Sequence, residues 1–564
     1  MHLPPVNWSN LPTLLVACCL AAPLPLGAQS NSMPQMSERV LPASTDLPPT
    51  TPPLPQIGQP LPLRLADAIA LTLEKDPNIK LQEQQVLISR GVLQEAVGAF
   101  DPAITGQMQG SYSTTDDDES VDYSTYALAT GAAGSTSGGF LNDVQDALSL
   151  QFAIQKVFRN GITLAPQITI TDDLTQVTGE STDSTEAFVG FTLVIPLAQG
   201  LGPNNASYTT ELSSAVDVGS EISSLEFTAA QEIYNTGTAY WSTLLAQTNV
   251  RISRSNETAA QRLVEITKSL ISGYVEPAIQ LAQANANLEQ YAAQRIAAQQ
   301  QQSQSSQQLA IAMGFTPSEL FSEPLVVDTF PNPHQDDVLT PDRIRGLIEI
   351  ALARRADVRA SRQSIVSSQY LVNGARNNTL PQIDLIVGGG LQQATTRQST
   401  NTNTTRDTQH GVAVSASLSI DWPIYNNVAE GQLVQAKGEL NQARISSSQT
   451  ESQVASDVIN AAKSVILMRQ ALEEAIESAK DAMTSVQAQQ TLFQMGMTSL
   501  TEVITTQTNL ANAQLTVATY ASQYANAILQ LRFATGTLLP IRDPKGGYRL
   551  DMQELARVPR PQAR

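Results

Sequence analysis

The sequence predicts an α+β membrane protein in which very long, coiled-coil-like helices run directly into strands of membrane-barrel type. Three observations predict it. The chain repeats itself once, no segment is apolar enough for a membrane-spanning helix, and short alternating strands sit at the joints of proline-free stretches about 65 residues long.

The repeat sets the frame. The stretch from Leu65 can be laid on the stretch from Ile344 at a constant offset of 279, pairing Leu73 with Leu352, Ile79 with Val358, Ala96 with Ala375, Pro102 with Pro381 and Ile104 with Ile383. Further on, Pro196 pairs with Pro423 at 227, Gly273 with Gly496 at 223 and Gly314 with Gly536 at 222. The drop to 227 places 52 additional residues in the first copy, between Ile104 and Pro196.

Composition narrows the function classes. The 564 residues hold 33 Lys+Arg against 52 Asp+Glu, a net charge of −19, which argues against nucleic acid as a partner. Three histidines (His2, His334, His410) lie far apart, and both cysteines (Cys18, Cys19) fall in the first twenty residues. A disulfide framework, a thiolate metal cluster and a catalytic triad all lack their parts, so the chain is not read as an enzyme and no cofactor is expected.

Element by element, residues 1–28 read as a signal peptide: a short apolar run from Leu11 ends in small residues. Cleavage near Ala28 competes with lipidation of Cys18, because Leu15-Val16-Ala17-Cys18 resembles a lipobox. Residues 29–62 form a proline-rich tether. The first repeat spans 63–314, with helices, strands near 104–112 and 187–195, and a long helix pair over 207–314. Ile104, Met108 and Tyr112 share a face opposite Thr105, Gln107, Gln109 and Ser111. A linker, 315–342, leads to the second repeat, 343–538, with strands near 383–391 and 412–420 and a helix pair over 430–536. Val412, Val414, Ala416, Leu418 and Ile420 alternate there with Ala413, Ser415, Ser417 and Ser419. Residues 539–564 are a C-terminal tail.

The 52-residue insertion holds two further alternating runs around 148–170, joined by the tight-turn pair Asn160-Gly161. Two readings stand: a strand pair in the membrane wall, or a hairpin projecting outside it. Pro166 and Lys156 weigh against the wall. The segments 113–147, 172–185 and Arg397–Thr408 read as loops, and the acidic run Asp116–Glu119 as a solvated external loop rather than a cation site.

The ordered set of motifs resembles the TolC family of bacterial outer membrane efflux proteins, from Leu63 to about Leu538. The strongest stretch is Leu492–Leu538: an aromatic-x-x-Gly turn (Phe493, Gly496), an acidic residue six positions later (Glu502) and a Leu/Ala/Gln helix ending in Ala-x-Gly. Phe100-Asp101-Pro102 and Leu380-Pro381-Gln382 lead into strands as in the family, and Ile195-Pro196-Leu197 and Trp422-Pro423-Ile424 lead out of them. The resemblance implies a homotrimer whose chains together close a barrel of twelve strands, or eighteen if the inserted pair joins, continuous with a helical tube in the periplasm. It also implies outer membrane lipid, a periplasmic adaptor (membrane fusion) protein and an inner-membrane pump as partners. The function implied is conduction of substrates across the outer membrane, in efflux or type I secretion. Glu502 and Thr505 are expected at the pore constriction, and Gly273, Pro277 and Gly496 at the periplasmic inter-helix turns. A charge-locked tip is not expected, because Thr498 and Phe493 replace the family's basic residue and phenol. The alternative is a non-conducting trimeric coiled-coil protein of structural or adhesive type. A periplasmic hydrolase with a helical accessory region is disfavoured by the strands at the helix ends.

Overall fold

The computed structural model describes residues 61–117, 141–177, 180–273, 277–320, 324–333, 339–400 and 402–539, together with 541–542, 548–549 and 559. The signal region with Cys18, the Gly131–Gly139 segment, Asp118, Glu119 and His334 lie outside the described residues.

Several helices start at a side-chain cap, Asp76, Asn205, Thr340 and Ser499 among them. After strand β1 (Leu61–Leu63) and helix α1 (Leu65–Lys75), the Asp76 carboxylate accepts from the amides of Asn78 and Ile79, and Pro77 opens α2 (Pro77–Gly98). Asn205 caps α3 (Ala206–Ser272), whose 67 residues run about 100 Å. Then come α4 (Ile279–Ala312), β6 (Pro324–Val326), α5 (Pro341–Arg354) and α6 (Ala356–Asn377). Helix α7 (Asn427–Gln494) has 68 residues and α8 (Leu500–Ala534) has 35. Among the described residues no helix is long and apolar enough to cross a membrane.

The helices form one layer. On the side toward the strands, α2 packs on α3, α3 on α6 and α6 on α7; on the opposite side α4 runs along α3 and α8 along α7. Midway, two apolar clusters tie the layer together. One holds Leu63, Ile69, Tyr240, Trp241, Leu309 and Met313; the other holds Leu347, Val358, Val458, Val465, Tyr524 and Ile528. Here β1 pairs in parallel with β6, so Leu61 and Pro62 end the tether as a strand and the inter-repeat linker contributes one of its own. The buried Tyr240 hydroxyl locks this pairing, donating to Asp328 Oδ2 at 2.6 Å. Burial and the adjacent carboxylate push that phenol well above its usual range.

The six long strands make one antiparallel sheet in the order β2-β3-β4-β5-β7-β8. They are β2 (Ala103–Asp117), β3 (Leu141–Val157), β4 (Thr163–Val177), β5 (Glu180–Pro196), β7 (Gln382–Ser399) and β8 (Thr404–Asp421). At 15 to 18 residues they exceed the nine or so that the apolar alternation marks out. Two segments expected as loops are therefore corrected. Most of 172–185 lies in β4 and β5, and most of Arg397–Thr408 in β7 and β8, closed through Thr400 and Asn403. Threonine-rich chain fits the pleated surface, and Thr395 and Thr408 face each other across the ladder. The loop expected over 113–147 is corrected at both ends, since 113–117 belong to β2 and 141–147 to β3, so Asp116 and Asp117 end a strand rather than sit in a loop.

Register gives the sheet two distinct faces. Ile104 aligns with Ile154, Phe152 with Ile168, Ile168 with Val189, Val189 with Leu391, and Leu391 with Val412, so one apolar face crosses all six strands. The other face carries Gln107, Gln151, Gln167, Thr192, Ser415 and Ser417. Its charged positions, Glu186, Asp173, Asp384 and Asp421 among them, are carboxylates, and no Lys or Arg lies on it among the described residues.

Candidate channel wall and periplasmic tip

The apolar sheet face is uncovered. Val412 is 75% exposed, Val414 76%, Ile104 78% and Met108 72%. An apolar surface of this extent, backed by a polar opposite face, is what a transmembrane strand array presents. Among the described residues no strand pairs with either sheet edge, β2 or β8. The flanking helices repeat this pattern: Leu81, Ile88 and Val92 are exposed on α2, and Val428, Val434 and Ile445 on α7.

The insertion's inner turn is fastened to the helical layer. Arg159 Nε and Nη2 each donate to Glu211 of α3 at 2.7 Å, and the guanidinium lies 5.2 Å from the Phe100 ring centre. Glu211 raises the Arg159 pKa through these bonds. Asn205 Nδ2 donates to the Arg159 carbonyl at 2.7 Å, and the Gly202 amide to the Asn160 carbonyl at 3.0 Å. Lys156, expected to weigh against the wall, donates its ammonium to the Phe100 carbonyl at the helix–strand joint. Pro166 removes a donor, and the β3–β4 ladder skips two pairs there while keeping its register from Ala153–Gln167 to Lys156–Leu164. Sequence reasoning missed the Arg159–Glu211 clamp, which joins residues 52 positions apart with no local signature.

At the far end of the helices the two inter-helix turns come together. Gly273 ends α3, and Pro277 precedes α4, with 274–276 outside the described residues. Gly496 follows α7 with φ +74°, a left-handed turn that suits glycine. Leu263, Val264, Ala284, Phe493, Leu500 and Val503 form one apolar cluster between the hairpins. Phe493, three residues before the turn glycine, is a core residue at 1% exposure. Gln283 Nε2 donates across to Thr501 at 3.2 Å.

Glu502 is the third residue of α8; its amide donates to the Ser499 cap. Glu502 and Thr505 are both exposed, on the helix side away from Leu500 and Val503. Glu502 and Arg532 are the charged residues of α8, so the exposed stripe from Thr505 through Asn509, Asn512 and Thr516 is neutral and polar. Among the described residues no group of three metal-ligating side chains occurs.

Comparison with known proteins supports the fold. Residues 347–537 match the family model described as outer membrane efflux protein. The Campylobacter jejuni CmeC outer membrane channel is similar at 17% identity and TM-score 0.57, over 84% of this chain and 85% of that one. The outer membrane protein VceC of Vibrio cholerae is similar at 15% identity and TM-score 0.55, over 84% and 96%. The open-state MtrE channel of Neisseria gonorrhoeae is similar at 14% identity and TM-score 0.55, over 84% and 89%. Nothing matches among curated protein sequences.

Proposed function

We propose that this chain, an outer membrane protein with an efflux-family second repeat and a TolC-like fold over 84% of its length, is one third of a channel. Three copies associate side by side and conduct substrates through the outer membrane, in efflux or type I secretion. The observation that carries this reading is the sheet: one face apolar across every strand, the other polar, and both edges unpaired. Unpaired strand edges are untenable in lipid, and six strands are too few to close a membrane barrel, so edge β8 of one copy pairs with β2 of the next. The exposed apolar residues of α2 and α7 lie along the same two sides and extend the contact into the helices. A head-to-tail contact that closes on itself makes a ring.

Glu502 and Thr505 then ring the narrow end of the tube. Met495, Met497 and Ile279 are exposed at the turns and offer a periplasmic adaptor an apolar seat, through which an inner-membrane pump delivers cargo. Purified protein in planar bilayers tests the reading. Discrete ion-conducting steps from a cross-linkable trimer are expected; a trimer without conductance would instead favour a structural or adhesive surface protein.

A further inference from the structure

The inserted hairpin has no counterpart in the second repeat, and its width is suggestive. On the side toward the strands each chain presents four helices abreast, α2, α3, α6 and α7. At ~10 Å between neighbouring axes they span an arc of roughly 40 Å. Strands ~4.8 Å apart and tilted by ~40° cover about 6.3 Å of circumference each. The four strands common to both repeats would cover roughly 25 Å of that arc, and six cover roughly 38 Å.

We infer that β3 and β4 are staves of the membrane wall, so that three chains close an eighteen-strand barrel as wide as the helical tube and impose no size filter at the membrane. This rests on the trimeric channel proposed above. The hairpin is not appended to the sheet but stands inside it: β2 reaches β5 only through β3 and β4. Its side chains continue both faces. Phe152 and Ile154 of β3 and Leu164, Ile168 and Ile170 of β4 extend the apolar face, and Gln151 and Gln167 extend the polar one. Its inner turn is pinned to α3 through Arg159 and Glu211, so both strands run the full height of the sheet from the helical joint. A projecting loop would break the ladder between β2 and β5, and would need no apolar face aligned with Ile104 on one side and Val189 on the other.

An eighteen-strand barrel is about 36 Å across between backbones, against about 24 Å for twelve strands. Barrels of sixteen to eighteen strands hold open aqueous channels. Bulky water-soluble cargo that clears the periplasmic tip therefore meets no second constriction in the wall, and discrimination among substrates falls to the tip.

Spin-label accessibility in phosphatidylcholine vesicles tests the inference. Labels are placed singly at Phe152→Cys, Ile168→Cys, Gln151→Cys and Gln167→Cys in the full chain with Cys18 and Cys19 replaced by serine. Val414→Cys, on β8, is the reference. Labels at 152 and 168 should be relaxed more by oxygen than by a water-soluble nickel chelate, as at 414; labels at 151 and 167 should show the reverse. Nickel access at 152 and 168 with lipid-like behaviour at 414 would put the hairpin outside the wall and end the inference while leaving the channel intact. Nickel access at 414 as well would remove the channel reading, and the barrel with it.

Discussion

Arg159 and Glu211 face each other as a two-pronged ion pair, both N···O distances 2.7 Å, and this pair joins the inserted hairpin to the longest helix of the first repeat. Their environments differ. The Glu211 side chain is only 11% exposed, whereas that of Arg159 is 46% exposed and lies against Phe100.

The asymmetry predicts which partner matters more. Arg159→Met strands a carboxylate that is largely out of water, a loss on the order of 3 kcal/mol. Glu211→Gln keeps a polar acceptor beneath an arginine that can turn to solvent, a loss of about 1 kcal/mol. Thermal unfolding of detergent-purified protein should rank the two in that order. Hydrogen exchange should speed up at 158–162 in both. A milder effect from Arg159→Met would mean that Glu211 is hydrated in solution.

Two glycines close the repeats in the same way. Gly314, at φ +74°, backs onto the α1–α2 joint, where a Cβ would lie 2.7 Å from the Lys75 carbonyl carbon and 2.8 Å from the Asp76 nitrogen. Gly536, at φ +66°, backs onto Arg355, the repeat partner of Asp76, with 3.1 Å to its nitrogen. Gly314→Ala should cost on the order of 2 kcal/mol, combining left-handed strain with a backbone clash, and Gly536→Ala on the order of 1 kcal/mol. Melting temperatures of the two variants check the ranking.

Much of this architecture can be read from residue order because the repeat makes each element appear twice. Val412 to Ile420 alternates cleanly, and Asn160-Gly161 marks a turn between two alternating runs. Other parts carry no such signal. Leu61-Pro62-Leu63 looks like more tether, and becomes a strand only because Pro324–Val326, far along the chain, lies beside it. Thr171 to Thr185 and Arg397 to Thr408 are mostly polar on both faces, so alternation fades although most of the backbone is paired. At the tip, Glu502 stands out in sequence as the one charge in the tip half of its helix, Arg532 lying in the last turn, while the apolar seat beneath it, Phe493 with Leu500 and Val503, needs both hairpins to assemble.

Glu319 predicts an acid limit for the mid-helix region. Its carboxylate takes the Lys75 ammonium at 2.6 Å and the Thr316 amide at 2.9 Å, and Lys75 foremost holds its pKa down, to about 2. A depressed carboxylate contributes stability that is complete above its unfolded pKa of about 4.3 and is lost as pH falls toward the folded value. Glu319→Gln should therefore lower stability by about 1 kcal/mol at neutral pH. That gap should close between pH 5 and pH 2. A gap that stays constant over this window would assign the loss to packing rather than charge.

The tip carboxylate gives the sharpest functional prediction. In the proposed trimer, Glu502 would place three negative charges around the narrow end, and carboxylate rings favour cations and bind multivalent ones. The polar face of the sheet is also acidic, through Glu186, Asp173, Asp384 and Asp421, so monovalent selectivity would have two sources along the proposed conduit. Block by a trivalent cation applied from the periplasmic side separates them, because a multivalent ion is held most strongly where the charges crowd together. Removing one unit charge ~4 Å from a bound ion in water weakens binding by about 1 kcal/mol for each unit of the ion's charge, so roughly fivefold is the least effect expected. Glu502→Gln should weaken the block by at least that factor while only lowering monovalent selectivity. It should leave folding unchanged, because the Ser499 cap takes the backbone amide of residue 502 and not its side chain. Unaltered block in single-channel recordings would show that Glu502 points away from the pore and that the constriction lies elsewhere on α8.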